Sequence, residues 1–267
     1  LKLVTLTTDF GLRDPYVAEM KAVMLGINPD LRIVDISHQI DRFDVRMGSF
    51  VLASAAKFFP PGTIHVGVVD PGVGTPRRPI LIETRRGYYV GPDNGLLTLA
   101  ARRDELVRTY HITNPKLMLP QISHTFHGRD IFAPAAAYLS RGVLPFEFGE
   151  QISDLASPTF AEPELLRGKV VGEILHVDNF GNLTTNIPPS ALDWLGVQTS
   201  ALLRVRVGAV RRKLVVASAY AEIPRRRALL IEGSVGLLEI SVNQGNAARL
   251  FRGKTGSKIE ISRAQPP

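Results

Sequence analysis

Cysteine is absent from the 267 residues. That excludes disulfides, thiolate nucleophiles and Cys-ligated zinc together. Aromatic residues make up only 7% of the chain, and few stand near its basic clusters, so the stacking platforms that hold single-stranded nucleic acid have little to be built from. No apolar run approaches the roughly 18–20 residues of a membrane span. The first apolar run is short and alternates with Thr, so neither a leader nor a membrane segment is expected, and the expected location is cytoplasmic. The six histidines show no H-x-x-x-H or H-E-x-x-H spacing, and no compact acidic cluster stands out. No metal site is therefore expected.

What is present suits a folded protein. The chain is 45% hydrophobic and 21% charged, enough for a substantial core in one large domain or two modest ones. The formal charge is +7. Residues 1–150 carry 17 Lys/Arg against 15 Asp/Glu, and residues 151–267 carry 15 against 10. The late excess lies in Arg211-Arg212-Lys213 and Arg225-Arg226-Arg227. Without interleaved aromatics these clusters read as solvated loops or subunit contacts, and no nucleic-acid or membrane partner is expected.

The first half alternates strand and helix signals. Strand-like runs cover Lys2–Thr8, Leu31–Ile36 and Thr63–Val69, with a hairpin formed by Pro79–Thr84 and Tyr88–Val90. Helical spacing covers Pro15–Asn28, Asp44–Phe59, Gly95–Arg102 and Asp130–Arg141. This alternation predicts an α/β layered domain with a mostly parallel sheet over residues 1–152. Residues 153–168 have little periodicity and read as a linker. Short strands dominate residues 169–267, which predicts a smaller all-β barrel domain.

Several segments concentrate polar residues where a plain scaffold does not need them. Asp9 ends the first strand in "TTDFG"; it either caps the following helix or opens a ligand site at a strand's carboxyl end. Asp70 follows the third strand in "DPGVGTPRRP", whose glycines permit close backbone approach and whose Arg77 and Arg78 could bind an anion or orient a carboxylate. The stretch lacks the Lys-Ser/Thr of a P-loop. "FHGRD" places Phe126 and His127 at a loop-to-helix junction. "HVDNFGNLTTNI" surrounds Phe180 with Asp178, Asn179 and Asn182. A hairpin turn explains its Asn and Gly residues, while an aromatic amid amides also suits purine recognition. "GSVGLLEISVNQGNAA" holds Ser234 and Asn243 in a run rich in Gly, Ser and Asn.

Six stretches, in order, resemble the S-adenosylmethionine (SAM) hydroxide adenosyltransferases, the hydrolase relatives of fluorinase and chlorinase. They are "TTDFG", "DPGVGTPRRP", "GPDNGLL", "FHGRDIFAPAAA", "DNFGNLTTNI" and "GSVGLLEISVNQGNAA". The resemblance implies hydrolysis of SAM to adenosine and L-methionine, with SAM as substrate and no cofactor. It implies a homotrimer with active sites at subunit interfaces. By position, it assigns Asp70, Arg77 and His127 to the chemistry. It assigns Asp9 to the ribose hydroxyls, Phe180 and Asn182 to adenine, Asp178 to the methionine ammonium and Ser234 to its carboxylate. Phe43 falls at an aromatic wall, and Phe126 and Asn243 complete the substrate-binding set. Asp70 and His127, together with a short segment from Arg78 to Gly91, depart from the halogenating branch, and a carboxylate at position 70 opposes a halide. The rival readings are a metal-dependent nucleoside hydrolase, a non-catalytic adenosine or SAM-binding protein, and an RNA-binding module.

Overall fold

In the computed structural model, residues 2–157, 160 and 162–264 are described. Pro158, Thr159 and Ala161 of the stretch read as linker lie outside them. The chain divides into two compact units, Leu1–Thr159 and Phe160–Pro267.

The first unit runs β1 (Leu3–Thr8), α1 (Tyr16–Ile27), β2 (Arg32–Ser37), α2 (Val45–Ala56), β3 (Thr63–Val68), β4 (Pro79–Thr84), β5 (Gly87–Pro92), α3 (Thr98–Arg103), β6 (Leu106–His111), α4 (Ala133–Ser140) and β7 (Gln151–Ile152). Its seven strands form one sheet in the order β2-β1-β3-β5-β4-β6-β7. β2, β1, β3 and β5 are mutually parallel. β4 runs against both β5 and β6, so β6 points with the first four and the sheet is mostly parallel, as expected.

Side-chain alternation sends successive strand residues to opposite faces. Val4, Leu6, Leu81 and Val90 join α1 and α4 in one core. Ile80, Ile82 and Tyr89 join α2 and α3 in the other. In α1 the spacing of Val17, Met20 and Met24 gives one buried stripe. α2 starts at Asp44, whose carboxylate accepts from the Met47 N–H at 2.9 Å, the usual work of a helix-capping acid.

Three expectations need correction. The helix expected over Asp130–Arg141 begins instead as a π-turn at Gly128–Phe132 and becomes α-helical at Ala133. β6 was not foreseen, because "LVRTYH" alternates polar with apolar residues only at its end. The stretch read as linker contains a short strand, Glu164–Leu166.

That strand is β8 of the second unit. It is followed by β9 (Lys169–Val177), β10 (Leu183–Thr185), α5 (Ser190–Trp194), β11 (Leu202–Val207), β12 (Val210–Ala217), β13 (Ala228–Glu232), β14 (Leu238–Val242), α6 (Ala247–Phe251) and β15 (Lys258–Arg263). The strand order is β10-β14-β13-β12-β11-β15-β9-β8, and the pairing of β10 with β9 closes the sheet into the expected barrel. Alternate residues such as Leu203, Val205 and Val207, facing Ile259 and Ile261, fill its interior. Among the described residues no helix is long and apolar enough to cross a membrane.

One buried group of the first unit makes stability pH-dependent. His65 of β3 is bonded through Nδ1 to Thr5 Oγ1 at 2.8 Å and stacks on Tyr89 at 4.9 Å. Burial, with a smaller contribution from Arg86, lowers its pKa to about 4. The unfolded chain takes up this proton near pH 6.5, while the folded chain resists until about pH 4. Stability is therefore full above pH 6.5 and falls through that window, by about 3 kcal/mol at most. His65→Gln is expected to flatten the fall in melting temperature between pH 7 and pH 4.5; an unchanged slope would assign the acid sensitivity elsewhere.

Candidate active site

β1 and β3 are neighbours, with Thr8 in register with Val68. Asp9 and Asp70 therefore leave the sheet at its carboxyl edge, where open α/β sheets bind ligands. Asp9 does not cap α1, which starts after Pro15 without a side-chain cap. Instead its Oδ2 accepts from the Phe43 N–H at 2.9 Å. Phe43 has φ +65° and is 68% exposed. A bulky residue holds that backbone conformation only when its surroundings fix it, and the Asp9 bond is one such constraint. Oδ1 of Asp9 has no donor among the described residues. Asp9 lines a polar cavity of about 440 Å³ together with Asp14, His38, Gln39, Asp41 and Arg42, among others.

Asp70, Arg77 and His127 are brought together. Arg77 donates from Nε to both Asp70 oxygens, at 2.9 and 3.0 Å, and from Nη2 to Oδ2. The same Nη2 lies 2.9 Å from His127 Nδ1. A guanidinium can only donate, so Nδ1 must be the acceptor and the neutral ring carries its proton on Nε2. Burial first, then Arg77, lowers the His127 pKa; Asp70 and Asp130 act in the opposite direction and His124 adds to the lowering. The Asp70 and Arg77 side chains are only 5% and 10% exposed. Arg77 Nη1 is buried with no acceptor among the described residues, an unpaired donor inside the trio.

The backbone around this trio is tightly fixed. Asn94, in "GPDNGLL", donates to the Val69 carbonyl at 2.8 Å and so holds the chain just before Asp70. Gly74 has φ +76°, and a Cβ there would stand 2.4 Å from the His124 carbonyl. Only glycine lets the Asp70 loop touch the loop that carries His127. Arg78 turns away to Asp93, at 2.6 Å, and Asp154, so of the adjacent arginines only Arg77 serves the trio. Phe126 is buried, with its ring 5.6 Å from Phe10 and 5.2 Å from Tyr16.

In the second unit, Asp178 and Asn182 are brought together. Asp178 Oδ1 accepts from the Phe180 and Asn182 N–H groups, at 2.9 and 2.8 Å, and Oδ2 accepts from Asn182 Nδ2 at 2.9 Å. The acid thereby builds the turn that leaves Phe180 77% exposed. Ser234 is exposed in the turn closed by the Gly236 N–H on the Gly233 carbonyl. Asn243 gives its side-chain N–H to the Ile223 carbonyl at 2.6 Å. Tyr220 carried no sequence signal. Its hydroxyl donates to Glu239 at 3.0 Å, and partial burial, with Glu239 and Asp178 adding to it, raises its pKa. Glu239 also accepts from Ser241 Oγ at 2.7 Å. Among the described residues no group of three or more His, Cys, Asp or Glu could hold a metal ion.

Comparison with known proteins is consistent along the whole chain. Residues 4–149 match the SAM hydroxide adenosyltransferase N-terminal domain, and residues 172–260 match the C-terminal domain of the same family. The chain is 37% identical to an (R)-S-adenosyl-L-methionine hydrolase from Thermus thermophilus, over 98% of this chain and all of that one. It is 35% identical to a hydrolase of the same name from Methanocaldococcus jannaschii, over 98% of this chain and 96% of that one. A fluorinase from Nocardia brasiliensis is 27% identical, over 97% of this chain and 96% of its own. A crystal structure of a conserved protein from Thermotoga maritima matches with a TM-score of 0.93 and 41% identity, covering 98% of this chain and all of that one.

Proposed function

This chain belongs to the SAM hydroxide adenosyltransferase family, and from that premise we propose that it hydrolyses S-adenosyl-L-methionine to adenosine and L-methionine. The observation that carries the reading is the trio centred on Arg77, in which one guanidinium holds both a carboxylate and a neutral imidazole. The greater identity to hydrolases than to fluorinases supports water as the nucleophile.

The sulfonium is already a good leaving group, so the difficulty lies with the weak nucleophile. The oxygen of water forms the bond to C5′ as the C5′–S bond breaks, and that electron pair stays on sulfur as neutral methionine departs. His127 Nε2–H orients the water by donating to one of its lone pairs, which leaves the other free to attack C5′, and Arg77 holds the ring in place through Nδ1. Asp70 supplies the anionic oxygens of the trio and accepts the proton, which then passes to solvent. Such positioning lowers the barrier by up to about 7–11 kcal/mol in the best intramolecular cases. Arg77 also neutralises Asp70, so rejection of halide rests on the carboxylate's closeness and not on the net charge of the trio.

The remaining roles are those the family resemblance implies, and the lone pairs left open at Asp9 and Asn182 are compatible with them. Asp9 keeps Oδ1 for a vicinal diol, and Phe43 forms a wall. Phe180 packs on adenine. Asn182, its Nδ2 occupied by Asp178, offers Oδ1 to the adenine amino group. Asp178 meets the methionine ammonium, Ser234 its carboxylate, and Asn243 contacts the base through its oxygen. We include in the proposal a cytoplasmic location and a homotrimer, with each site formed between the first unit of one subunit and the second unit of its neighbour. Light scattering at three chain masses would support that assembly; a monomer that turns over SAM would contradict it.

Incubation with SAM, with EDTA present and no added halide, is expected to give adenosine and methionine in equal amounts by liquid chromatography. Intact SAM would overturn the hydrolase reading. Asp9→Ala is expected to raise the Kd for adenosine about 10–100-fold, the worth of charge-assisted hydrogen bonds; an unaltered Kd by calorimetry would remove Asp9 from the ribose.

A further inference from the structure

Asp130 has no exposed surface, and the proposed reaction does not touch it. A buried carboxylate persists only when paired and hydrogen-bonded. Arg129 Nε donates to Oδ1 at 2.7 Å and Nη2 to Oδ2 at 3.3 Å, while the Ser123 N–H donates to Oδ2 at 2.8 Å. Ser123 Oγ in turn accepts from the Phe126 N–H at 3.0 Å. The Asp130 carbonyl accepts from the Leu119 N–H at 2.9 Å. Both ends of the segment leading into His127 are thus tied to one residue. The π-turn at Gly128–Phe132 begins directly after His127 and carries Asp130 in its middle; such wide turns recur at functional sites.

The clamp extends outward. Arg129 Nη1 donates to Glu19 of α1 at 2.8 Å, and the guanidinium lies 5.1 Å over the Phe126 ring. Phe126 touches Phe10, next to Asp9. The loop bearing His127 is therefore braced against the segment that follows β1.

The charged and titratable groups facing His127 are Asp70 and Arg77 from the loop after β3, and His124, Arg129 and Asp130 from its own loop and turn. Glu19 acts from α1 through Arg129. Arg77 disfavours a proton on the ring, and the negative charges of Asp70 and Asp130 oppose that.

We propose that Asp130, clamped by Arg129 and Glu19, is a positioning residue that fixes the His127 ring against Arg77 and sets its basicity. Its kinetic consequence rests on the hydrolase reading; its effect on the titration of His127 does not. Asp130→Asn keeps the shape and an acceptor for Ser123 but removes the charge. The His127 ring signal, identified by its loss in His127→Ala, is titrated by NMR in the full chain, and SAM turnover is measured in parallel. The expected results are a His127 pKa lower than wild type by about half a unit or more, a kcat reduced about tenfold, and a KM within about twofold. Glu19→Gln leaves the bonds of Asp130 in place and is expected to move the titration the same way by less, which keeps the test open if Asp130→Asn does not fold. A His127 titration unmoved in the folded variants would overturn the proposal, as would a raised KM with unchanged kcat. A shifted titration in a protein without SAM turnover would uphold the positioning role and overturn the hydrolase reading alone.

Discussion

Replacing His127 by alanine is expected to reduce kcat about 10²–10³-fold, the range for losing a preorganised hydrogen-bond donor, with little change in KM for SAM. Its Nδ1 is occupied by Arg77 at 2.9 Å, so the ring contributes through Nε2 and through the geometry it shares with Arg77. The same contact fixes the pH dependence. Protonation places an N–H on Nδ1, facing a guanidinium that can only donate, and breaks the contact. Burial and Arg77 lower the pKa of this group below 6.5. The wild-type rate should therefore hold as pH falls to 6.5 and decline only below it. Steady-state kinetics across pH checks both parts. A His127→Ala variant with unchanged kcat, or a wild-type rate already halved above pH 6.5, would remove His127 from this role.

Arg77→Ala is expected to damage both turnover and stability. It strips the partner from Asp70, whose side chain is 5% exposed, and breaking one side of a buried ion pair costs about 3–5 kcal/mol. It also frees the His127 ring, so that the Nε2–H is no longer held toward the water. Loss of a preorganised donor of this kind costs about 10²–10³-fold in kcat. Arg77→Lys should recover little of either effect, because a single ammonium cannot reproduce a planar fork that reaches a carboxylate and an imidazole at once. Turnover and thermal melting of both variants decide the matter. A lysine variant close to wild type would show that charge alone, and not the fork, is needed.

Much of the fold was legible because periodicity is local. The stripe of Val17, Met20 and Met24 and the Ile- and Val-rich β3 announce their elements. β6 and β10 were not legible: one mixes polar and apolar residues without a sustained alternation, and the other has only three residues, so each owes its strand state to its neighbours in the sheet. At the site, Asp9, Asp70, Arg77 and His127 could be named from position and motif. The geometry added what motifs cannot hold. Asp9 braces Phe43 and does not cap α1; Arg78 serves Asp93; Phe126 packs against Phe10 and Tyr16. Asp130 lay inside a quoted motif, yet its clamp depends on Glu19, 110 positions from Arg129. Tyr220 and Glu239, on different elements of the barrel, share no local pattern at all.

The most direct test of the account is hydrolysis of SAM in water enriched in ¹⁸O, followed by mass spectrometry of both products. Attack of water on C5′ predicts ¹⁸O in the 5′-hydroxyl of adenosine and none in methionine. Adenosine free of the label would contradict it, because the oxygen would then have come from some other nucleophile than water.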